Sequence, residues 1–303
     1  MSTGMEKRRV VYNPAFFVSS SKNRDMDAGR KIEVMGILNL TGDSFHAGSR
    51  FLDADGKVDL PRLQARAKAM VEAGADILDL GACSSRPGAE IIGPDEEWQR
   101  LEPALTTLTE AIPGMRFSVD TTWSAVVEKV HDRFGPFLVN DISSGEEDPA
   151  MLPTVGRLGL PYVAMHKRGT PATMQDLTDY PEADGLSPVT AAVLAYFQDF
   201  ARKAEQAGIR DWTLDPGFGF AKTLEQNYDL LRELDAFRVL ERPILVGISR
   251  KSMIYKKFGI TPEEALPATQ VLHLAALQKG ASILRVHDVG EAVRTVALYR
   301  ELC

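Results

Sequence analysis

Short runs of apolar and β-branched residues alternate along this chain with longer stretches in which apolar positions recur every three or four residues. That is the pattern of buried strands each followed by a helix. The strand-like runs are 32–38 (IEVMGIL), 76–81 (DILDLG), 116–119 (RFSV), 137–140 (FLVN), 161–165 (PYVAM), 212–215 (WTLD), 243–247 (PILVG) and 282–286 (SILRV). Helical patterns follow them near 60–73, 94–111, 122–134, 148–158, 188–207, 223–235, 263–279 and 288–301. Two carry clear start signals, Pro94-Asp95-Glu96-Glu97 and Thr261-Pro262-Glu263-Glu264. Repeated βα units over about 250 residues predict a TIM (β/α)8 barrel. A doubly wound sheet is the alternative, because alternation alone does not prove closure. No Pro/Gly/Ser linker divides the chain, so residues 31–303 form one barrel domain. Residues 1–30, mixing VVYNPAFFV with SSSKNRDMDAGR, are expected to be a partly disordered N-terminal extension.

Composition narrows the setting. The chain has 303 residues, 44% of them hydrophobic, enough for a large core. A net charge of −7 argues against a nucleic-acid partner, which needs a concentrated basic face. No run approaches the ~18 to 20 apolar residues of a membrane span, and MSTGMEKRRV lacks the apolar core of a signal peptide. A cytoplasmic location is expected, with no membrane partner. Cys83 and Cys303 are too few for a disulfide framework or a zinc site and are expected to be free thiols.

In a barrel of this kind the chemistry sits where the strands end. Those ends carry Asn39, Thr41, Asp43, Ser44 and Arg50; then Ser84, Ser85 and Arg86; Asp120; Asn140 and Asp141; His166, Lys167 and Arg168; Asp215; Ser249, Arg250, Lys251 and Ser252; and Arg285, His287 and Asp288. Some have plainer explanations. Asp141 and Asp288 suit helix caps, Asp43 a turn, and Lys167 with Arg168 an exposed pair. His131 and His273 lie within helical patterns and are expected to be structural, and Cys83 to be a small packed thiol.

The successive stretches GILNLTGDSF, GADILDLGACSSRPGAE, SVDT, VNDISSG, LDPGFGFAKT, GISRKS and RVHDV resemble, in order, the motifs of the dihydropteroate synthases. The likeness runs from Ile32 to Leu302. It implies a TIM barrel, usually dimeric, that joins 6-hydroxymethyl-7,8-dihydropterin diphosphate to 4-aminobenzoate, releasing pyrophosphate and giving 7,8-dihydropteroate for folate synthesis. It assigns the pterin to Asp120, Asn140, Met165, Asp215, Phe220, Gly247, Lys251 and Arg285. The diphosphate falls to Asn39, Arg86, Arg285 and His287, with Mg2+ taking an oxygen from Asn39. The 4-aminobenzoate falls to Ser85, Arg86, Pro87 and Ser252, the last near the start of the seventh helix. Asp120, Lys251, Arg285 and Arg86 are the residues implied in catalysis. The implied reaction is SN1-like at the pterin methylene, with leaving-group stabilisation and positioning dominant. An aromatic amine is unprotonated at neutral pH, so no general base is nominated.

The chain departs from the family pattern at Gly42, where proline is usual, at Cys83, where glutamate is usual, and at Ser85, where threonine is usual. Two other readings remain at this point. One is a methyltetrahydrofolate-binding methyltransferase; the other is a pterin-binding paralogue without catalysis, which the altered loops suggest.

Overall fold

The computed structural model describes residues 31–41, 51–52, 57–83, 92–170 and 173–303. The expected extension at 1–30 lies outside them. The strands are β1 (Glu33–Asn39), β2 (Ile77–Gly81), β3 (Arg116–Asp120), β4 (Leu138–Asp141), β5 (Tyr162–Met165), β6 (Trp212–Asp215), β7 (Leu245–Val246) and β8 (Ile283–Val286). They pair in the order β6-β5-β4-β3-β2-β1-β8-β7, every ladder parallel. A parallel bridge between Leu214 and Ile244 joins the two ends. That closure, with sequential strands side by side, makes the fold a TIM barrel and excludes the doubly wound sheet.

The helices are α1 (Leu60–Glu72), α2 (Pro94–Ala111), α3 (Ser124–Phe134), α4 (Met151–Leu158), α5 (Pro188–Ala207), α6 (Leu224–Arg232), α7 (Ser252–Phe258), α8 (Leu266–Gln278) and α9 (Val289–Glu301). Their starts are chemically marked. Asp59 accepts from the Arg62 N–H ahead of α1, and Thr223 and Gln226 form a reciprocal capping box on α6. Each main helix turns one apolar stripe inward, as α1 does with Leu63, Ala67 and Met70. Where α1 and α9 cross β1, Gly36 makes room: a Cβ there would stand 2.9 Å from the Met70 sulfur.

The seventh unit differs from the sequence reading. The periodicity predicts a single helix there, over 263–279, whereas the structure places α7 ahead of α8. Seven residues give too few turns for a visible period, and Gly259 ends the helix in left-handed geometry at φ 64°.

Register explains how the barrel positions its chemistry. Alternate residues of a strand face the same way. On the inward face, Met35, Ile77, Leu138, Val163, Leu245 and Ile283 form one apolar layer. Two residues further along each of those strands, on that same face, stand Ile37, Asp79, Asn140, Met165, Gly247 and Arg285. In-register pairing sets Asp120 beside Asn140 and Asp215 beside Met165. The interior is hydrocarbon at the N-terminal end of the strands and polar at the C-terminal end.

Candidate active site

At the C-terminal end the barrel opens into a cavity of about 500 Å³. Its lining includes Asn39, Asp120, Asn140, Met165, Asp215, Phe220, Gly247, Lys251, Ser252, Arg285 and His287. These strand-end residues, scattered in sequence from Asn39 to His287, are brought together by strand order alone. Ser85, Arg86 and Pro87, with Gly42, Asp43, Ser44, Arg50 and Ser84, lie outside the described residues.

Arg285 is the centre of the charge network. Its Nε donates to Asp79 at 2.7 Å and its terminal nitrogen to Asp120 at 2.9 Å. The Asn140 amide also donates to Asp79, at 3.3 Å. Asp79 is fully buried. It therefore orients the guanidinium and the amide without lining the cavity itself, and a reading of strand ends passes over it. The available signal is a carboxylate inside the apolar run DILDLG, which needs a buried partner.

Burial raises the Asp120 carboxyl above its usual range while Arg285 pulls it down. Burial likewise raises Asp215, against Lys251. The Asp215 carboxylate accepts from Gly217 N–H at 2.8 Å. Lys251, pushed down to about 8 by burial, donates to the Phe218 carbonyl at 2.5 Å. Its ammonium stands 4.6 Å from the centre of the Phe220 ring. Donors, acceptors and two apolar walls, Met165 and Phe220, thus converge on one volume, an arrangement suited to a flat, polar-edged heterocycle. Cys83 also lines the cavity, and burial lifts its thiol to about 11, so it stays protonated and unreactive.

Several residues have duties other than those the sequence suggested. Asp141 caps no helix. It accepts from Ser143 N–H, Ser143 Oγ, Gly145 N–H and the Tyr162 hydroxyl, and so fixes the turn that carries Ile142 into the cavity wall. Asp288 stands at the α9 N-cap position without a side-chain cap bond and grips Arg250 in a two-point ion pair, at 2.7 and 2.9 Å. Lys167 is buried against Glu147, not an exposed charge, and Arg168 stacks 5.0 Å over Tyr180. Glu97, read as a helix-start acid, is buried behind Asp120, and burial drives its carboxyl up to about 8. His273 is buried and pushed down to about 4, in keeping with a structural role.

Known proteins are similar to this chain in sequence and fold. A family model described as pterin binding enzyme matches residues 35–287. The dihydropteroate synthase of Escherichia coli K12 is 39% identical over 265 residues, covering 87% of this chain and 89% of its own. The Yersinia pestis dihydropteroate synthase, solved with a sulfonamide drug complex, superposes with a TM-score of 0.80 at 34% identity, over 91% of this chain and 95% of that one. The Thermus thermophilus enzyme, solved in complex with 4-aminobenzoate, gives 0.76 at 36% identity, over 91% and 96%. The match spans the barrel and all the described strand-end residues of the cavity, and the chain belongs to the pterin-binding enzyme family, among its dihydropteroate synthases.

Proposed function

We propose that this chain condenses 6-hydroxymethyl-7,8-dihydropterin diphosphate with 4-aminobenzoate, forming the C–N bond of 7,8-dihydropteroate as the C–O bond to pyrophosphate breaks. The observation that carries this reading is the polar layer Asp120, Asn140, Asp215, Lys251 and Arg285, held over an apolar floor in one cavity. Asn140 and Asp215 meet the aminopyrimidine edge, Lys251 the carbonyl side and Asp120 the reduced ring. Arg285, pinned by two carboxylates, keeps its planar face toward the pterin and its charge near the leaving group. His287 and Arg86 complete the diphosphate contacts, and Ser85, Pro87 and Ser252 the aminobenzoate slot. The electron-rich reduced pterin can carry methylene cation character, so the protein's work is orientation and charge stabilisation.

Mg2+ fits this donor set in one way. Among the described residues no group of three His, Cys, Asp or Glu could hold a metal ion, whereas Asn39 lines the cavity with a neutral amide. That suits a hard cation taking one protein oxygen and the rest from diphosphate and water, where it would neutralise leaving-group charge. The two cysteines form no disulfide and no described helix is long and apolar enough to cross a membrane, which supports a cytoplasmic setting.

A homodimer is supported by the outer faces of α8 and α9. The α8 sequence LPATQVLHLAALQ is apolar on more than its core side, leaving Val271 67% exposed, and α9, which packs against α8, leaves Leu298 exposed. Val271→Asp with Leu298→Asp should give a monomer by light scattering.

Pyrophosphate release that requires both substrates tests the main reading. Pterin binding without turnover would favour a non-catalytic paralogue, and methyl transfer from methyltetrahydrofolate would favour the methyltransferase.

A further inference from the structure

The segment between β6 and α6, residues 216–223, follows directly on Asp215 and delivers Phe220 to the cavity wall. It is an awkward piece of backbone. Gly217, Gly219 and Ala221 all take left-handed geometry, at φ 71°, 83° and 51°. A Cβ at Gly217 would stand 1.9 Å from the His166 carbonyl oxygen. No strand ladder holds such a shape, so side chains must.

From the α6 side, Asn227 accepts from Gly219 N–H at 2.6 Å and donates to the Thr223 carbonyl at 2.6 Å. From within, Lys222 donates to the Gly217 carbonyl at 2.8 Å and the Phe220 carbonyl at 2.9 Å, and lies 3.0 Å from His166 Nδ1. An ammonium has three protons and no lone pair, and these three partners use all of them. For Nδ1 to accept, the imidazole must be neutral with its proton on Nε2. Burial ensures neutrality, holding His166 well below the usual histidine range.

We infer that Lys222 is a positioning residue for the condensation: its ammonium ties the Gly217 and Phe220 carbonyls to His166 and so fixes the loop that aims Asp215 and Phe220 at the substrates. This rests on the proposed function for the identity of those substrates, and gives Lys222 no contact with the reacting atoms. A neutral amine would keep two protons for the carbonyls and turn its lone pair toward Nδ1, so the tie to His166 would then require the ring to move its proton from Nε2 to Nδ1.

The charged and titratable groups facing Lys222 come from three directions. Asp215 on β6 favours its charge, Lys251 at the start of α7 opposes it, and His166 after β5 adds a neutral ring, itself kept neutral by burial and by the Lys222 and Arg168 charges. Burial dominates and brings the amine to about 7. The ammonium form of the tie prevails below that pH, and above it the tie depends on the switched His166 tautomer.

The test is calorimetric affinity for the pterin diphosphate from pH 6 to 9, with the KM for 4-aminobenzoate, in the wild type, Lys222→Met and Lys222→Arg. Titration of the ligand's own phosphate and of the Asp120 carboxyl, raised to about 7 by burial, is common to all three and cancels in the comparison, and the limbs named below are those left after it. The wild type should lose affinity above pH 7, by about threefold at pH 8, with a further limb near 8 as Lys251 deprotonates. Lys222→Met should be about tenfold weaker even at pH 6, from its unpaired carbonyls, and should lack the limb at 7 while keeping the one near 8. Lys222→Arg, which does not titrate here, should stay within about threefold of the wild type at pH 6 and lack the limb at 7. A purely structural lysine would lower the melting temperature of Lys222→Met yet leave its pH profile that of the wild type, and that result overturns the proposal. Should Lys222→Met fail to fold, a wild-type affinity that is the same relative to Lys222→Arg at pH 6 and pH 8 also overturns it. Absence of pyrophosphate release with both substrates, while the pterin affinity keeps its limb at 7, would count against the catalytic reading and leave this one standing.

Discussion

The two ends of the barrel are made by the same strands and follow opposite rules. At the N-terminal end, a groove of about 320 Å³ between strands and helices is lined by Leu105, Ile112, Met115, Phe117 and Phe134. Charge there stays near the surface: Glu33 is paired with Lys31 and Arg116, which hold its carboxyl below the usual range although burial pushes it up. At the C-terminal end, Asp79, Asp120, Asp215, Lys222, Lys251 and Arg285 are gathered inside, and burial works against the charges of the last five. Strands such as β2, β4 and β8 thus bury hydrocarbon where they begin, at Ile77, Leu138 and Ile283, and spend some of the resulting stability on Asp79, Asn140 and Arg285 further along. Substitutions should separate accordingly, the first end governing folding and the second ligand binding.

Asp79 is the place where that separation should fail most visibly. Asp79→Ala leaves the Arg285 and Asn140 donors without their buried acceptor, so it should lower unfolding free energy by about 3 to 5 kcal/mol and turnover by about a hundredfold or more. Denaturant unfolding and pyrophosphate release measure the two effects, and a fully active variant would remove Asp79 from the network. Ile77→Ala, one inward step earlier on β2, should cost about 2 to 4 kcal/mol in stability and leave kcat and KM within about twofold. A large activity loss there would show that the two ends are mechanically coupled.

Asp215→Ala and Lys251→Ala sharpen the contrast from the other side. Each should weaken pterin diphosphate binding by about 1 to 3 kcal/mol in calorimetry; Asp215→Ala should also lower the melting temperature, because Gly217 N–H and the Lys222 and Lys251 charges lose their partner, whereas Lys251→Ala should change it less. Unchanged affinity in both would take them out of the site. Arg116→Ala should show the smallest effect: an exposed ion pair at the N-terminal end is worth under about 1 kcal/mol, and turnover should not respond.

The sequence was legible where function and strand ends coincide. Asn39, Asp120, Asn140, Asp215, Arg285 and His287 stand at or next to the points where apolar runs stop, and reading those points found them without knowledge of closure. The misses have a common physical cause. Asp79 lies mid-strand, where a survey of ends does not look, although period-two alternation puts it on the face of Ile77 and Gly81. Glu97 sits in a first helical turn, where an acid is ordinarily explained by the helix dipole, and only the packing of α2 against the barrel shows that its carboxyl is buried. Lys222 was legible as part of LDPGFGFAKT but not as a brace, since its three partners are two carbonyls and a histidine 56 residues away. α7 was too short to register.

The closure between β6 and β7 rests on the Leu214–Ile244 bridge, beside a strand of only two residues. Pro243 has no N–H to offer a ladder, although its carbonyl accepts from Leu214 N–H at 3.0 Å. Asp215 lies on one bank of this join, and Gly247 and Lys251 on the other. Breathing there would widen the pocket without disturbing the other ladders, so amide protons along the join should exchange with solvent sooner than those of β1 and β2. A ligand reaching both banks acts as a staple. It should slow that exchange and raise the melting temperature with concentration, making the pocket's occupant part of what keeps the barrel shut.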